Sequence, residues 1–297
     1  MMFSITVPAS TANLGPGFDS IGLALDRYLH LDVEQASNWV FECHSPGLEN
    51  LSSNNLITEA AMFAADQLGI DLSPCKVTMD NGIPLAKGFG SSAAATVAGI
   101  ELTCYFSPNP VSKQEKARLA SMWEGHPDNV AASIYGGLVI GAHRENATDI
   151  LHVEVPEVDL VAFIPRSSLA TKKARAVLPK EIAFTEAVRA SAIANVMTGA
   201  LVTNNWELAG KMMMEDLFHQ PYRKELIPHM TEVCEFAKDD VDAYGAALSG
   251  AGPIILCYTE KQKGGAFARR LQKIFPGNEV AVLKPALNGA AVSVIQA

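Results

Sequence analysis

Apolar and polar positions alternate with a period of two near the start of the chain. Residues 4–7 show the pattern briefly, and residues 28–34 show it clearly, with Leu29, Leu31 and Val33 separated by polar neighbours. Both stretches predict half-buried strands. Residues 58–68 predict a helix that stops at Gly69, and residues 76–80 a strand broken by the Asn81-Gly82 turn. An alanine-rich run opening at Ser91 predicts a helix to about Leu102. Ser112-Lys-Gln-Glu115 matches a capping box, in which each side chain satisfies the other's free backbone N–H, and predicts a helix to about Trp123. Residues 137–142 read as an apolar strand. Beyond residue 155 the pattern changes to another apolar strand over 159–164, a polar loop, several helices between Thr185 and Lys238, and strands over 254–258 and 280–283. A chain of 297 residues exceeds one usual compact core. The expected division is therefore 1–155 and 156–297, with a cleft between the halves, although no Pro/Gly/Ser-rich linker marks the boundary.

Composition narrows the function classes. Hydrophobic residues make up 48% and charged residues 19%, an ordinary folded balance that excludes disorder. The longest apolar stretch, 93–102, is half of what a membrane span needs, and the first ten residues lack the basic start and apolar core of a signal peptide. No membrane partner and a cytoplasmic location are expected. The five cysteines are scattered and include no CxxC pair, so neither a disulfide framework nor a zinc site is predicted. A net charge of −9 argues against nucleic acid, since Lys113, Lys116 and Arg118 are offset by Glu115 and Glu124. Any polyphosphate must therefore be held by strong local features.

Three glycine-rich segments supply candidates. The central one, Pro84-Leu85-Ala86-Lys87-Gly88-Phe89-Gly90-Ser91-Ser92-Ala93-Ala94, opens directly into a predicted helix. Glycines let backbone N–H groups approach an anion, and the helix N-terminus adds about half a positive charge. Lys87 adds a full charge, and the Ser91 and Ser92 hydroxyls can cap the helix or reach a phosphate-bound Mg²⁺. A tight turn with serine caps is the plain structural alternative. The G-x-G-x-x-A spacing also fits a dinucleotide fingerprint, but the nearest downstream acid, Glu101, lies within the same predicted helix, and no Gly-Lys-Ser/Thr completes a Walker A loop. A second segment runs from Pro8 through Asn13, Gly15 and Gly17 to Asp19 and Ser20, and a third is Leu248-Ser-Gly250-Ala-Gly252-Pro253. Each is compatible with a loop alone.

Taken together, in this order and across the whole chain, the three segments resemble the three motifs of the GHMP kinases. Four further runs resemble the homoserine kinases of that superfamily: residues 8–19, Glu124-Gly-His126-Pro-Asp128-Asn129, Thr171-Lys-Lys-Ala-Arg175, and His219-Gln-Pro-Tyr-Arg223. The resemblance covers about residues 4–295. It implies a two-domain α+β GHMP kinase fold, with an N-terminal ribosomal-S5-domain-2-like domain and a C-terminal ferredoxin-like domain around a shared site. The implied activity is phosphorylation of the side-chain hydroxyl of L-homoserine, using ATP and Mg²⁺, on the route to threonine. Homodimers are implied as well. A mevalonate-type alcohol kinase and a non-catalytic metabolite sensor of the same fold remain alternatives.

The same resemblance assigns residues to roles. Asn13, Asp19, His126, Thr171, Arg175, Arg223 and Gly250 would bind the amino-acid substrate, with the two arginines on its carboxylate. Residues 84–94 would wrap the phosphates, and Asn55 falls where relatives contact the base, although an asparagine there is an equally good helix cap. Ser92 and Glu124 would hold Mg²⁺, Glu124 being otherwise a solvated helix-end carboxylate. His126, Asp128, Asn129 and Lys87 are the expected catalytic groups. No obligatory strong base is expected, because positioning and charge neutralisation carry most of phosphoryl transfer, and Asp128 can serve by orienting His126 or the substrate.

Overall fold

The computed structural model describes residues 2–43, 45, 48, 52–154 and 156–295. The expected boundary at residue 155 lies outside them. The first half contains strands β1 (Met2–Ala12), β2 (Ile21–Gln35) and β3 (Val40–Cys43), helix α1 (Leu56–Leu68), strand β4 (Cys75–Asn81), helices α2 (Ser91–Tyr105), α3 (Lys113–Glu124) and α4 (Asp128–Tyr135), and strands β5 (Leu138–Arg144) and β6 (Ala147–Val153). Both early strands are longer than the alternation predicts. In β1, Phe3, Ile5 and Val7 are fully buried on one face, but residues 8–12 are buried on both, which erases the period of two. The strand also carries a register shift between Pro8 and Ala9 against β2.

Helix boundaries follow their caps. Asn55 accepts from the Ile57 and Thr58 amides to start α1, and Gly69 ends it at φ 66°. Both arms of the Ser112–Glu115 capping box form at the start of α3. Helix α2 is apolar around most of its circumference because it is buried between α1, β1 and α4.

The second half consists of β7 (Val158–Ile164), α5 (Thr171–Ala176), α6 (Phe184–Val202), α7 (Trp206–Met213), α8 (Gln220–Arg223), α9 (Met230–Asp239), β8 (Ala243–Leu248), β9 (Ile255–Glu260), α10 (Gly264–Ile274) and β10 (Glu279–Leu283). Its four strands are antiparallel in the order β10-β7-β9-β8, the ferredoxin-like split βαβ arrangement. The last strand, β11 (Ala291–Val294), leaves this unit and pairs with β1 from Thr6↔Ala291 to Phe3↔Val294. The chain therefore departs from a simple division into 1–155 and 156–297. Strand β11 covers an edge of β1 that would otherwise present unpaired backbone groups. No helix among the described residues is long and apolar enough to cross a membrane.

Candidate active site

The three glycine-rich segments meet. Gly250 N donates to Ala12 O at 3.1 Å, Ile254 N to Lys87 O at 3.1 Å, and Ser10 N to Phe89 O at 3.2 Å, so the backbones of three distant loops are stitched together. Asn13, in the left-handed region at φ 74°, donates from Nδ2 to Gly250 O at 3.0 Å and accepts at Oδ1 from Asp19 N at 3.0 Å. The closeness explains two glycines without any ligand. At Gly88 (φ +98°) a Cβ would stand 2.3 Å from Ser249 O, and at Gly90 (φ +64°) 2.3 Å from Ser10 Oγ. The loops line an open cleft of about 290 Å³.

One side of the cleft is built to receive an anion. Helix α2 begins after Gly90 with no side-chain cap, and Ser91, Ser92 and Ala93 of its first turn line the cleft, leaving their N–H groups to a ligand. Beside them Glu124, the last residue of α3, lies with Oε1 3.4 Å from Ser92 Oγ and accepts from Thr96 Oγ1 at 2.8 Å. Hard oxygens clustered at the anion-binding end of a helix fit a magnesium ion that keeps most of its water.

The expected nucleotide set is only partly assembled. Pro84, Ala86, Gly88, Gly90, Ser91, Ser92 and Ala93 line the cleft. Leu85 faces out at 41% exposure, while Phe89 and Ala94 belong to the core. Asn55 spends its amide on capping α1 and does not line the cleft. Lys87 departs furthest from the expectation. Its ammonium turns away from the cleft and donates to the carbonyls of Pro165 (2.7 Å), Arg166 (3.1 Å) and Ser167 (2.6 Å).

The other side carries opposed charges. Arg175, near the end of α5, binds both oxygens of Asp19 at 2.8 and 3.1 Å, and this paired carboxylate raises the guanidinium's pKa further. Arg223 is 2% exposed. Its Nε donates to Ala174 O and its Nη1 reaches Gly250 O and His219 Nδ1, each at 3.1 Å. Burial, together with the nearby Arg175 cation, lowers its pKa to about 10, so it stays charged at neutral pH. The Phe18 ring lies beneath both guanidiniums, at 5.6 Å from Arg175 and 5.3 Å from Arg223, and stacks on His219.

His219 is fully buried. Its Nε2 donates to Gly15 O at 2.9 Å, leaving Nδ1 to accept from Arg223, an assignment fixed by the partners. Burial lowers its pKa to about 4 despite Asp216 nearby, so it is neutral.

Between the two sides stand His126, Asp128 and Asn129. Asp128 Oδ1 accepts from Asn129 N at 2.6 Å and lies 2.7 Å from His126 Nδ1. Burial works against the charged imidazole, but the Asp128 hydrogen bond and charge, with a contribution from Asp19, outweigh it and raise the His126 pKa. Ser10 Oγ donates to Asn129 Oδ1 at 3.0 Å, which leaves the Asn129 NH₂ as the donor end, 3.4 Å from Asp128 Oδ1. Asp19, His126 and Asp128 could geometrically share an ion. Arg175 already occupies both Asp19 oxygens, which makes this group a balanced charge cluster. Thr171, at the first turn of α5, and Gly250 complete the expected substrate set along the cleft.

Sequence reasoning includes Ser10, Phe18 and His219 in its motif runs without giving them a role, and does not single out Thr96. Thr96 stands four residues after Ser92 and His219 four before Arg223, so helical spacing carries a signal for each. The contacts of Ser10 and Phe18 become visible only through the fold.

Comparison with known proteins agrees with this geometry. The pattern of the GHMP kinases N terminal domain matches residues 55–137, and that of the GHMP kinases C terminal region matches residues 197–277. Over 297 residues the chain is 66% identical to a homoserine kinase of Shouchella clausii, covering 100% of both chains. It is 51% identical to a homoserine kinase of Halalkalibacterium halodurans, covering 98% of this chain and 94% of that one. The crystal structure of homoserine kinase from Cytophaga hutchinsonii superposes with a TM-score of 0.85 at 27% identity, covering 98% of this chain and 97% of that chain.

Proposed function

The chain belongs to the GHMP kinases, and from that premise we propose that it transfers the γ-phosphoryl group of ATP to the side-chain hydroxyl of L-homoserine, giving O-phospho-L-homoserine and ADP on the route to threonine. The observation that carries this reading is one cleft with an open helix N-terminus on one wall and an Asp19–Arg175 pair beside Arg223 on the other. A zwitterionic amino acid can exchange that internal pair for two new ones, its ammonium on Asp19 and its carboxylate on Arg175 and Arg223. A ligand with one charge leaves the opposite partner stranded. This disfavours mevalonate as acceptor, and uncharged galactose offers neither the ammonium nor the carboxylate that the paired groups would take.

In this reading the first-turn amides of α2 and the glycine loop hold the phosphates. Ser92 and Glu124 would hold Mg²⁺, which would neutralise charge on the moving phosphoryl group. Asn129, oriented by Ser10, donates toward the reacting oxygens, and His126 with Asp128 aims the acceptor hydroxyl, whose proton can pass to a phosphate oxygen or to water without an obligatory strong base as the O–P bond forms and the bond to ADP breaks. Thr171 and Asn13 complete the walls. Residues 1–155 would carry the nucleotide and 156–297 most of the acceptor contacts, with β11 lent to the first sheet.

The expected homodimer is supported by the outer face of α6, where Phe184 (83% exposed), Val188 (53%) and Val196 (45%) repeat at multiples of four residues. Sedimentation at the mass of one chain would remove it. Five free cysteines, with burial pushing Cys75 up to about 11 and Cys104 to about 12, fit a reducing cytoplasm. The decisive experiment measures ADP release with L-homoserine, mevalonate, galactose and shikimate. Turnover of another alcohol, and none of homoserine, refutes the assignment. ATP binding without turnover of any member favours a sensor.

A further inference from the structure

We infer that Lys87 is a positioning residue for the acceptor amino acid, acting through the segment that joins β7 to α5. The inference rests on the reading of this cleft as a homoserine kinase site. Residues 165–170 form that segment. Among the described residues, the carbonyls of Pro165, Arg166 and Ser167 find one hydrogen-bond donor, the Lys87 ammonium, at 2.6–3.1 Å. Three converging carbonyls match the three N–H donors of an ammonium. The segment's other anchor is Leu169, buried in the core of the second sheet.

What the segment delivers is the acceptor wall. Thr171 begins α5 directly after it, Arg175 lies one turn further on, and Ala174 O receives Nε of Arg223. The other end of the tether is equally fixed, since Lys87 O accepts from Ile254 N and the adjacent Gly88 O from Ser249 Oγ. One lysine thus sets the distance between the phosphate loop and the helix that carries Arg175. A purely electrostatic role on the triphosphate would require the ammonium to abandon all three carbonyls.

The two roles predict opposite kinetics. In Lys87→Ala the KM for homoserine rises about tenfold, the loss of roughly one charge-assisted contact's worth of alignment, while the KM for ATP changes less than about twofold. Lys87→Arg keeps a cation that a phosphate would accept, but a planar guanidinium cannot converge on three carbonyls, so it leaves the homoserine KM raised. Amide hydrogen exchange gives a second readout without substrate, and residues 166–172 exchange faster in Lys87→Ala than in the parent at equal melting temperature. A raised KM for ATP with unchanged homoserine KM overturns the inference, as does full rescue by Lys87→Arg or unchanged exchange over 166–172. If the parent phosphorylates no homoserine, the functional reading fails, and the exchange experiment still decides the tether.

Discussion

Arg223 and Arg175 are assigned to the same ligand carboxylate, yet their surroundings predict different consequences for stability. Arg175→Ala removes a half-exposed side chain whose partner, Asp19, lies at the mouth of the cleft where water can replace it. Such a pair contributes about 0–1 kcal/mol. Arg223→Ala removes a guanidinium 2% exposed and strands Ala174 O and His219 Nδ1, while Gly250 O keeps Asn13 Nδ2 as its donor. At about 1–3 kcal/mol per buried group left unpaired, with the opening to the cleft admitting water to some of them and with relief of the Arg175 repulsion, the net cost is about 3 kcal/mol. For a chain of this length that lowers the melting temperature by about 6 °C or more. Both variants raise the KM for homoserine at least about tenfold, because each removes a guanidinium donor for the carboxylate, Arg175 by exchange from Asp19 and Arg223 through its uncommitted Nη2. Thermal unfolding beside steady-state kinetics on the two purified variants checks this. Equal melting temperatures, or a larger loss in Arg175→Ala, would refute the view that Arg223 is a structural hub as well as a ligand contact.

The buried neutral His219 makes the fold acid-sensitive. Its folded pKa, about 4, lies below the ordinary 6.5, so as pH falls through that window the unfolded chain binds a proton that the folded chain refuses, and stability drops. Above about 6.5 the group contributes no slope. Urea midpoints should lose about 2 kcal/mol between about pH 7.5 and about pH 5, and this part of the loss should vanish in His219→Gln; an identical slope in the variant argues against it. Ser10→Ala frees the Asn129 amide to rotate and should lower kcat about tenfold with both KM values nearly unchanged; a change confined to KM rejects the orienting role. Glu124→Gln should raise the Mg²⁺ concentration for half-maximal velocity about tenfold, read by magnesium titration at saturating ATP, and an unchanged midpoint removes Glu124 from the metal site.

Much of this architecture is legible in the residues because local rules and tertiary packing agree there. Ser112 and Glu115 cap α3 as their spacing demands, and Gly69 ends α1. Legibility fails where an element is buried on both faces, as over residues 8–12 of β1, or where its partner is remote, as for β11 pairing with β1 across nearly the whole chain. The site follows the same division. Motif order and spacing identify the loops that meet and the residue types they bring, although close backbone approach alone accounts for Gly88 and Gly90. It does not give the direction of a long flexible side chain. Lys87 sits in an anion-binding loop by sequence, but a four-carbon stem reaches carbonyls on either side, and the choice is made by the segment over residues 165–167.

That choice sharpens the question of how a chain with a net charge of −9 would hold a triphosphate. Beyond about 8 Å the global field is screened at physiological salt, so only the lining of the cleft matters. Among the described lining residues the fixed cations are Arg175 and Arg223, both on the acceptor wall and both joined to internal partners. With Lys87 diverted, the phosphate wall offers backbone N–H groups, serine hydroxyls and the end of α2, but no lysine or arginine. Neutral dipoles can orient a polyphosphate, yet they do not cancel the charge that spreads over the transferring group. On the proposed reading the Ser92–Glu124 oxygens would hold a divalent cation, which would supply the charge that a wall without lysine or arginine lacks.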